Sequence, residues 1–128
     1  MQDRPRVMVV EDDAEMNQLE RELLALCGLD AVAAYSGAEA VRRFDQCPTD
    51  AVLLDLMLPE MDGYEACTHL RRNAGRHVPI VVVTALDDEG SRRRATQAGA
   101  DAYFVKPIDV DSVVATLRSL IGAGQLHP

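Results

Sequence analysis

The sequence predicts a doubly wound α/β domain built on a five-stranded parallel sheet. Three observations carry that expectation. Five short apolar runs alternate with longer segments of helical periodicity, in strict β–α order. Most of the runs are continuously apolar and several are rich in valine, as strands covered on both faces are. The chain has 128 residues, 48% of them hydrophobic, which suits one domain with one sizeable core.

The first strand is expected at Arg6–Val10. The helix after it opens near Asp13, an N-cap candidate. It sets Met16, Leu19, Leu23 and Cys27 at helical spacing, with Gly28 as its stop. The second strand reads as Ala31–Ala34. Ser36, with Glu39 three residues on, forms a capping-box pattern that opens the second helix. The third strand is Ala51–Leu54, and Asp62 caps a third helix running toward Asn73 and Gly75. The fourth strand spans Val78–Val83. Its helix starts near Asp87 or Asp88 and ends before Gly99. The fifth strand is Ala102–Val105. The last helix begins at Asp109, lines up Val113, Val114, Leu117 and Leu120, and has Gly122 after it. One domain over residues 1–122 is expected, with 123–128 as a frayed tail and no linker, repeat or second domain.

Composition removes several function classes. Thirteen basic residues against 21 acidic ones give a formal charge of −8, so free nucleic acid is not an expected direct partner. No apolar run approaches the roughly 20 residues a membrane helix needs. The polar start, with Asp3 and Arg4, is unlike a signal peptide. Cys27, Cys47 and Cys67 form no CxxC pair and read as reduced thiols of a cytoplasmic protein. His69, His77 and His127 share no ligand spacing and read as surface residues. Arg92-Arg93-Arg94 reads as a solvated helix face.

Ligands of doubly wound sheets bind beyond the carboxyl ends of the strands. Glu11-Asp12-Asp13 follows the first run, Asp55 the third, Thr84 the fourth and Lys106-Pro107 the fifth. Singly, each is ordinary, and Asp13 is best read as a helix cap. Jointly they gather carboxylates, a hydroxyl and an ammonium at four of five strand ends. Lys106 is the only lysine, and the other twelve basic residues are all arginine. A compact point charge suits a small oxyanion pocket better than a planar fork. Clustered carboxylates repel one another unless a cation is present. With oxygen donors only, that cation is expected to be Mg²⁺.

V-V-E-D-D after the first strand, L-L-D-L-M-L-P-E-M-D-G around Asp55, V-T-A at Thr84 and V-K-P at Lys106 carry a resemblance. Together and in order, over about residues 5–122, they are similar to the receiver domain of bacterial response regulators (the CheY-like superfamily). The resemblance implies a flavodoxin-like (βα)5 fold with strand order 2-1-3-4-5. It implies Asp55 as phosphoacceptor and Asp12 as direct Mg²⁺ ligand. Glu11 acts through water, Met57 ligates through its backbone carbonyl, and Asp55 itself completes the set. Thr84 matches the switch hydroxyl, Lys106 the phosphate-binding lysine and Tyr103 the mobile switch aromatic, and the Lys106–Pro107 bond is expected cis. The implied partners are a histidine kinase or histidine phosphotransfer protein as donor and an unknown output domain or protein. The domain is expected to be a monomer or weak dimer, without direct nucleic-acid or membrane binding. It would catalyse its own modification and slow hydrolysis without being a turnover enzyme.

Two other readings share the topology. A flavodoxin-like cofactor binder needs a Ser/Thr/Gly-rich phosphate loop where this chain has Glu-Asp-Asp-Ala-Glu, and a yellow chromophore would reveal it. A magnesium-dependent aspartyl-phosphate hydrolase usually carries D-x-D and a capping insertion. Asp55-Leu56-Met57 lacks the second aspartate, no segment is long enough for a lid, and turnover of small phosphate esters separates the two. A structural domain with a degenerate site is disfavoured because every site residue of the family is present.

Overall fold

The structure, a computed structural model, describes residues 4–73 and 78–125. Gly75, His77, His127 and half of the expected tail, residues 126–128, lie outside them. The order is β1 (Arg6–Val10), α1 (Ala14–Leu26), β2 (Asp30–Ala34), α2 (Gly37–Gln46), β3 (Ala51–Leu54), α3 (Gly63–Asn73), β4 (Ile80–Thr84), α4 (Glu89–Ala98), β5 (Ala102–Val105) and α5 (Val110–Gln125). The strands pair in parallel in the order β2-β1-β3-β4-β5. This is the doubly wound (βα)5 arrangement that the alternation predicts.

Alternate residues of the central strands enter two cores, as the two-residue period requires. Val7, Val9, Leu53, Val81 and Val83 pack with Leu24 of α1 and with Val113, Leu117 and Ile121 of α5. Met8, Val10, Val52, Leu54 and Ile80 pack on the other face with Ala40 of α2 and Ala66, Cys67 and Leu70 of α3. A smaller cluster of Leu56, Val82 and Ala95 joins α4 to the sheet. Ala95 is the one residue of α4 that is buried.

Local signals fix the helix ends. Asp13 Oδ1 accepts the Met16 N–H at 3.1 Å, and Asp88 Oδ2 accepts the Ser91 N–H at 2.9 Å. Asp62 Oδ1 accepts the Glu65 N–H at 2.8 Å. Ser36 Oγ takes the Glu39 N–H at 3.1 Å, while Glu39 reaches back to the Tyr35 N–H at 2.6 Å, one residue earlier than a capping box requires. Gly99 closes α4 at φ 116°, a conformation only glycine holds without strain.

Several expectations need correction. The buried residues of α1 are Asn17, Glu20 and Leu24; of the expected face, Cys27 packs against the core and Leu23 is half-buried, but Met16 and Leu19 point out. Leu19 is 48% exposed and Met16 36%. The helix is turned so that Asn17 can serve the strand ends, which leaves apolar side chains on its outer flank. Gly122 does not end α5, which continues to Gln125, and Ile121 is a core residue that the expected face omitted. β4 starts at Ile80 and includes Thr84, and β2 starts one residue early at Asp30. The edge strands β2 and β5 are half-buried rather than covered on both faces. His69 is half-buried rather than on the surface. Arg92 and Arg94 lie over the Tyr103 and Tyr64 rings at 4.8 and 4.0 Å from the centroids, so the arginine run is more than a solvated face. The three cysteines are free, with Cys67 buried in the core.

Candidate functional site

Strand register brings the acidic residues together. Val10 of β1 pairs with Leu54 of β3, so Glu11 and Asp55 leave the same sheet edge side by side. The Asp55 N–H donates to the Val10 carbonyl at 3.0 Å, and the Glu11 N–H donates to the Ala34 carbonyl at 3.0 Å. On the other flank Thr84 pairs with Val105, which sets Lys106 beside it. The Lys106 N–H donates to the Thr84 carbonyl at 2.8 Å. The Lys106–Pro107 bond is cis.

Glu11 and Asp55 are buried, whereas Asp12 is exposed. Each of the three offers a carboxylate oxygen within 4.8 Å of the others. The Lys106 ammonium donates to Glu11 Oε1 at 2.7 Å and to Asp55 Oδ2 at 3.1 Å. Burial pushes the Glu11 carboxyl above its ordinary range, against the Lys106 hydrogen bond and the Asp13 N–H. Burial also pulls the Lys106 ammonium down, but its bonds to Glu11 and Asp55 outweigh this and it stays raised. One cation therefore faces an acidic cluster that it neutralises only in part. The donor set fits a hard divalent ion: carboxylate oxygens only, two of them buried, one open to solvent. Asp55, Glu11 and Asp12 would hold such an ion.

The loop after Asp55 explains much of the D-L-M-L-P-E-M-D-G run. Asp55 Oδ1 accepts the Met57 N–H at 3.0 Å, which fixes the carboxylate and turns the chain. Met57 is 56% exposed, and the contact it makes with Asp55 is through its backbone N–H. The Gly63 N–H donates to the Leu56 carbonyl at 3.0 Å, bringing α3 against this loop. A Cβ on Gly63 would lie 2.3 Å from the Leu56 Cα and 2.8 Å from the Asp55 carbonyl oxygen. Glycine is required there for space.

Thr84 is buried, and its Oγ1 accepts the Leu86 N–H at 3.3 Å. The Tyr103 hydroxyl donates to the Leu86 carbonyl at 2.8 Å. One residue thus links the two switch candidates. Met61 packs against the core beneath α2 and α3.

Two polar residues near the site escape a reading by apolar pattern. Asn17 is fully buried, and its amide donates to the carbonyls of Val9, Glu11 and Ala34 at 3.2, 3.0 and 3.2 Å. It clasps the ends of β1 and β2. Glu20 is buried on the same face of α1. The signal was their helical spacing with Leu24, masked because two of the three are polar.

Comparison with known proteins matches residues 7–118 to the model of the response regulator receiver domain. The response regulator MprA of Mycobacterium ulcerans is 36% identical over 122 residues, covering 95% of this chain and 52% of that protein. The chain spans about half the length of the curated relatives it matches. Among solved structures, the receiver domain of the sensor histidine kinase PA1611 from Pseudomonas aeruginosa is 32% identical, with a TM-score of 0.84. The alignment covers 93% of this chain and 98% of that one, which holds a magnesium ion in its active-site cleft. The receiver domain of Francisella response regulator 1452 aligns over 94% of this chain and 98% of its own, at 26% identity and a TM-score of 0.86. With the strand order, the acidic cluster and a family match over most of its length, the chain belongs to the response regulator receiver domains of two-component systems.

Proposed function

We propose that Asp55 accepts a phosphoryl group from a phosphohistidine on a histidine kinase or histidine phosphotransfer protein. The observation that carries this is the register at the sheet edge: a buried Asp55 beside Glu11 and Asp12, with the chain's only lysine bonded to it. In the transfer the N–P bond of the donor breaks as an O–P bond forms to an Asp55 carboxylate oxygen. The donor ring, protonated at its other nitrogen, leaves as neutral imidazole. Catalysis of such a step is mostly positioning and charge neutralisation. The Met57 N–H orients the carboxylate, and Lys106 supplies positive charge beside it. Asp12, Asp55, the Met57 carbonyl and, through water, Glu11 would hold a Mg²⁺ ion, which would supply the remaining charge neutralisation. Exposed Met16 and Leu19 beside the opening give a protein donor an apolar surface to cover.

Thr84 and Tyr103 form the switch in this reading. Thr84 Oγ1 turning toward a phosphoryl oxygen leaves the Leu86 N–H, and Leu86 is also what holds the Tyr103 hydroxyl. Phosphorylation so biases the surface of α4, β5 and α5 that an output domain or protein reads. The domain works in the cytoplasm as a monomer or weak dimer, with slow self-hydrolysis rather than turnover. No helix among the described residues is long and apolar enough to cross a membrane.

The test is intact-mass analysis after incubation with acetyl phosphate, with and without Mg²⁺. One phosphoryl adduct is expected, absent after chelation and absent in Asp55→Asn. Equal labelling of that variant overturns the assignment of Asp55.

A further inference from the structure

Glu11 and Asp12 are neighbours in the chain, and in an extended strand neighbouring side chains point to opposite faces. One carboxylate oxygen of each nevertheless lies within 4.8 Å of the other and of Asp55. The backbone must therefore leave strand geometry between them. The ladder with β2 ends on the Val10–Ala34 pair, and the Glu11 N–H still donates to the Ala34 carbonyl at 3.0 Å. The Glu11 carbonyl, in the next peptide group, lies beyond that ladder. A backbone group that leaves a sheet at a buried residue needs another partner.

That partner is the fully buried Asn17. Its amide nitrogen donates to the Glu11 carbonyl at 3.0 Å, and to the Val9 and Ala34 carbonyls at 3.2 Å each. Val9 and Ala34 belong to strands that pair from Arg6 to Val10, so the amide adds little to joining them. The Glu11 carbonyl is the contact that strand pairing does not supply. It belongs to the peptide that joins the two acidic residues, and the plane of that peptide sets how their side chains diverge. A neutral amide fixes the plane without adding charge beside the carboxylates.

The amide has its own anchor. Arg21, one turn along α1, donates from Nε to Asn17 Oδ1 at 2.7 Å. With the oxygen held there, the nitrogen faces the three carbonyls. A turned amide would set oxygen against oxygen and nitrogen against a guanidinium. The half-buried Arg21 also reaches the Tyr35 hydroxyl at 3.5 Å. A chain of hydrogen bonds thus runs from the outer side of α1 to the backbone between the acidic pair.

We propose that Asn17 is a positioning residue for the divalent cation: by fixing the Glu11 carbonyl it presets the Glu11 and Asp12 carboxylates for the ion, and Arg21 orients the amide that does so. This rests on Glu11, Asp12 and Asp55 as the Mg²⁺ site. Hydrogen bonds that orient a metal's ligands typically change its affinity by about 10- to 100-fold. Asn17 acts on backbone rather than on a ligand atom, so the lower end of that range is expected.

Isothermal titration calorimetry of the unphosphorylated protein with MgCl₂ tests this, with no phosphodonor present. Asn17→Leu keeps the branched shape but removes every donor, and should weaken Mg²⁺ binding about tenfold. Arg21→Leu leaves Asn17 in place but unanchored, and should weaken it about threefold. Arg21→Lys restores a donor to Oδ1 and should recover wild-type affinity. Leu70→Ala loosens the core on the other face of the sheet and should bind Mg²⁺ as wild type does. Equal affinity in wild type, Asn17→Leu and Arg21→Leu overturns the proposal. So does a loss in Leu70→Ala as large as in Asn17→Leu, which general loosening would produce. Failure of Arg21→Lys to recover overturns it as well. If Asn17→Leu does not fold, the two Arg21 variants decide alone. Mg²⁺ binding with the expected losses, but no labelling of Asp55 by acetyl phosphate, supports this inference while overturning the proposed function.

Discussion

Replacing Glu20 by leucine is expected to stabilise the protein at pH 8 and to leave it nearly unchanged at pH 4.5. The carboxyl is raised in the folded state from an ordinary 4.5 to about 7, first because it is buried. Folding therefore favours the protonated form. The contribution of that proton is complete below pH 4.5 and is lost as pH rises through 7. A rise of this size, at roughly 1.4 kcal/mol per pH unit, makes the ionised carboxylate cost about 3 kcal/mol above neutrality. Leucine is one atom shorter than glutamate but apolar, and suits the cleft that this position lines with Leu19, Leu23 and Ile108. Urea unfolding followed by circular dichroism reads the difference. With a slope of about 1.5 kcal/mol per molar urea, the midpoint should rise by about 2 M at pH 8. At pH 4.5 the gain should be under about 0.5 kcal/mol, because the wild-type group is then protonated in the folded state. An equal gain at both pH values would show that packing, not charge, is the cause. No gain at pH 8 would show that the carboxylate is solvated.

Other expectations follow from the same geometry. Gly63→Ala drives a methyl into the Leu56 backbone and should cost about 2–4 kcal/mol, seen as a lower thermal midpoint; an unchanged midpoint refutes the close approach. Lys106→Arg keeps the charge but not the narrow reach, so phosphorylation should persist in part while amide exchange in α4 responds poorly; wild-type behaviour in both assays refutes it. Met57 and Leu86 present no polar side chain to orient a hydrolytic water, so Met57→Asn or Leu86→Glu should change the lifetime of phosphorylated protein by about twofold or more. Unaltered decay in both variants counts against that idea. Cys67 is buried, with its thiol pushed up to about 11, and should resist iodoacetamide at pH 8 far longer than half-buried Cys27 and Cys47, as peptide mapping will show.

What was legible in the sequence has a physical reason. β1, β3 and β4 are covered on both faces, so each appears as an unbroken apolar run, and the residue that follows each is forced to the sheet edge. That is why Glu11, Asp55 and Thr84 could be read directly. Lys106 stood out because nothing else in the chain is lysine. Helix α1 was misread because its apolar residues and its buried residues are different sets. Asn17 faces inward for hydrogen bonding and Glu20 follows it by helical geometry, which carries Met16 and Leu19 outward. Pattern reading assumes that apolar means inside, and here the strand ends needed an amide more than a methyl. The extension of α5 past Gly122 escaped because a single glycine weakens a helix by only about 1 kcal/mol and Ile121 anchors the turn.

Helix α4 buries only Ala95 fully, with Ala98 partly buried against the core and Arg92 resting on the Tyr103 ring. Such an element is a separate cooperative unit: it can detach while the sheet remains intact. Its amides should then exchange with deuterium through local opening, at a free energy well below that of global unfolding. Those of β1 and β3 should wait for the whole domain to unfold. A receiver built this way has a helix with one fully buried residue packed beside Tyr103, one of the residues that would report phosphorylation. A small bias at Thr84 and Tyr103 then needs to redistribute only a shallow local equilibrium, and the rest of the fold stays as it was.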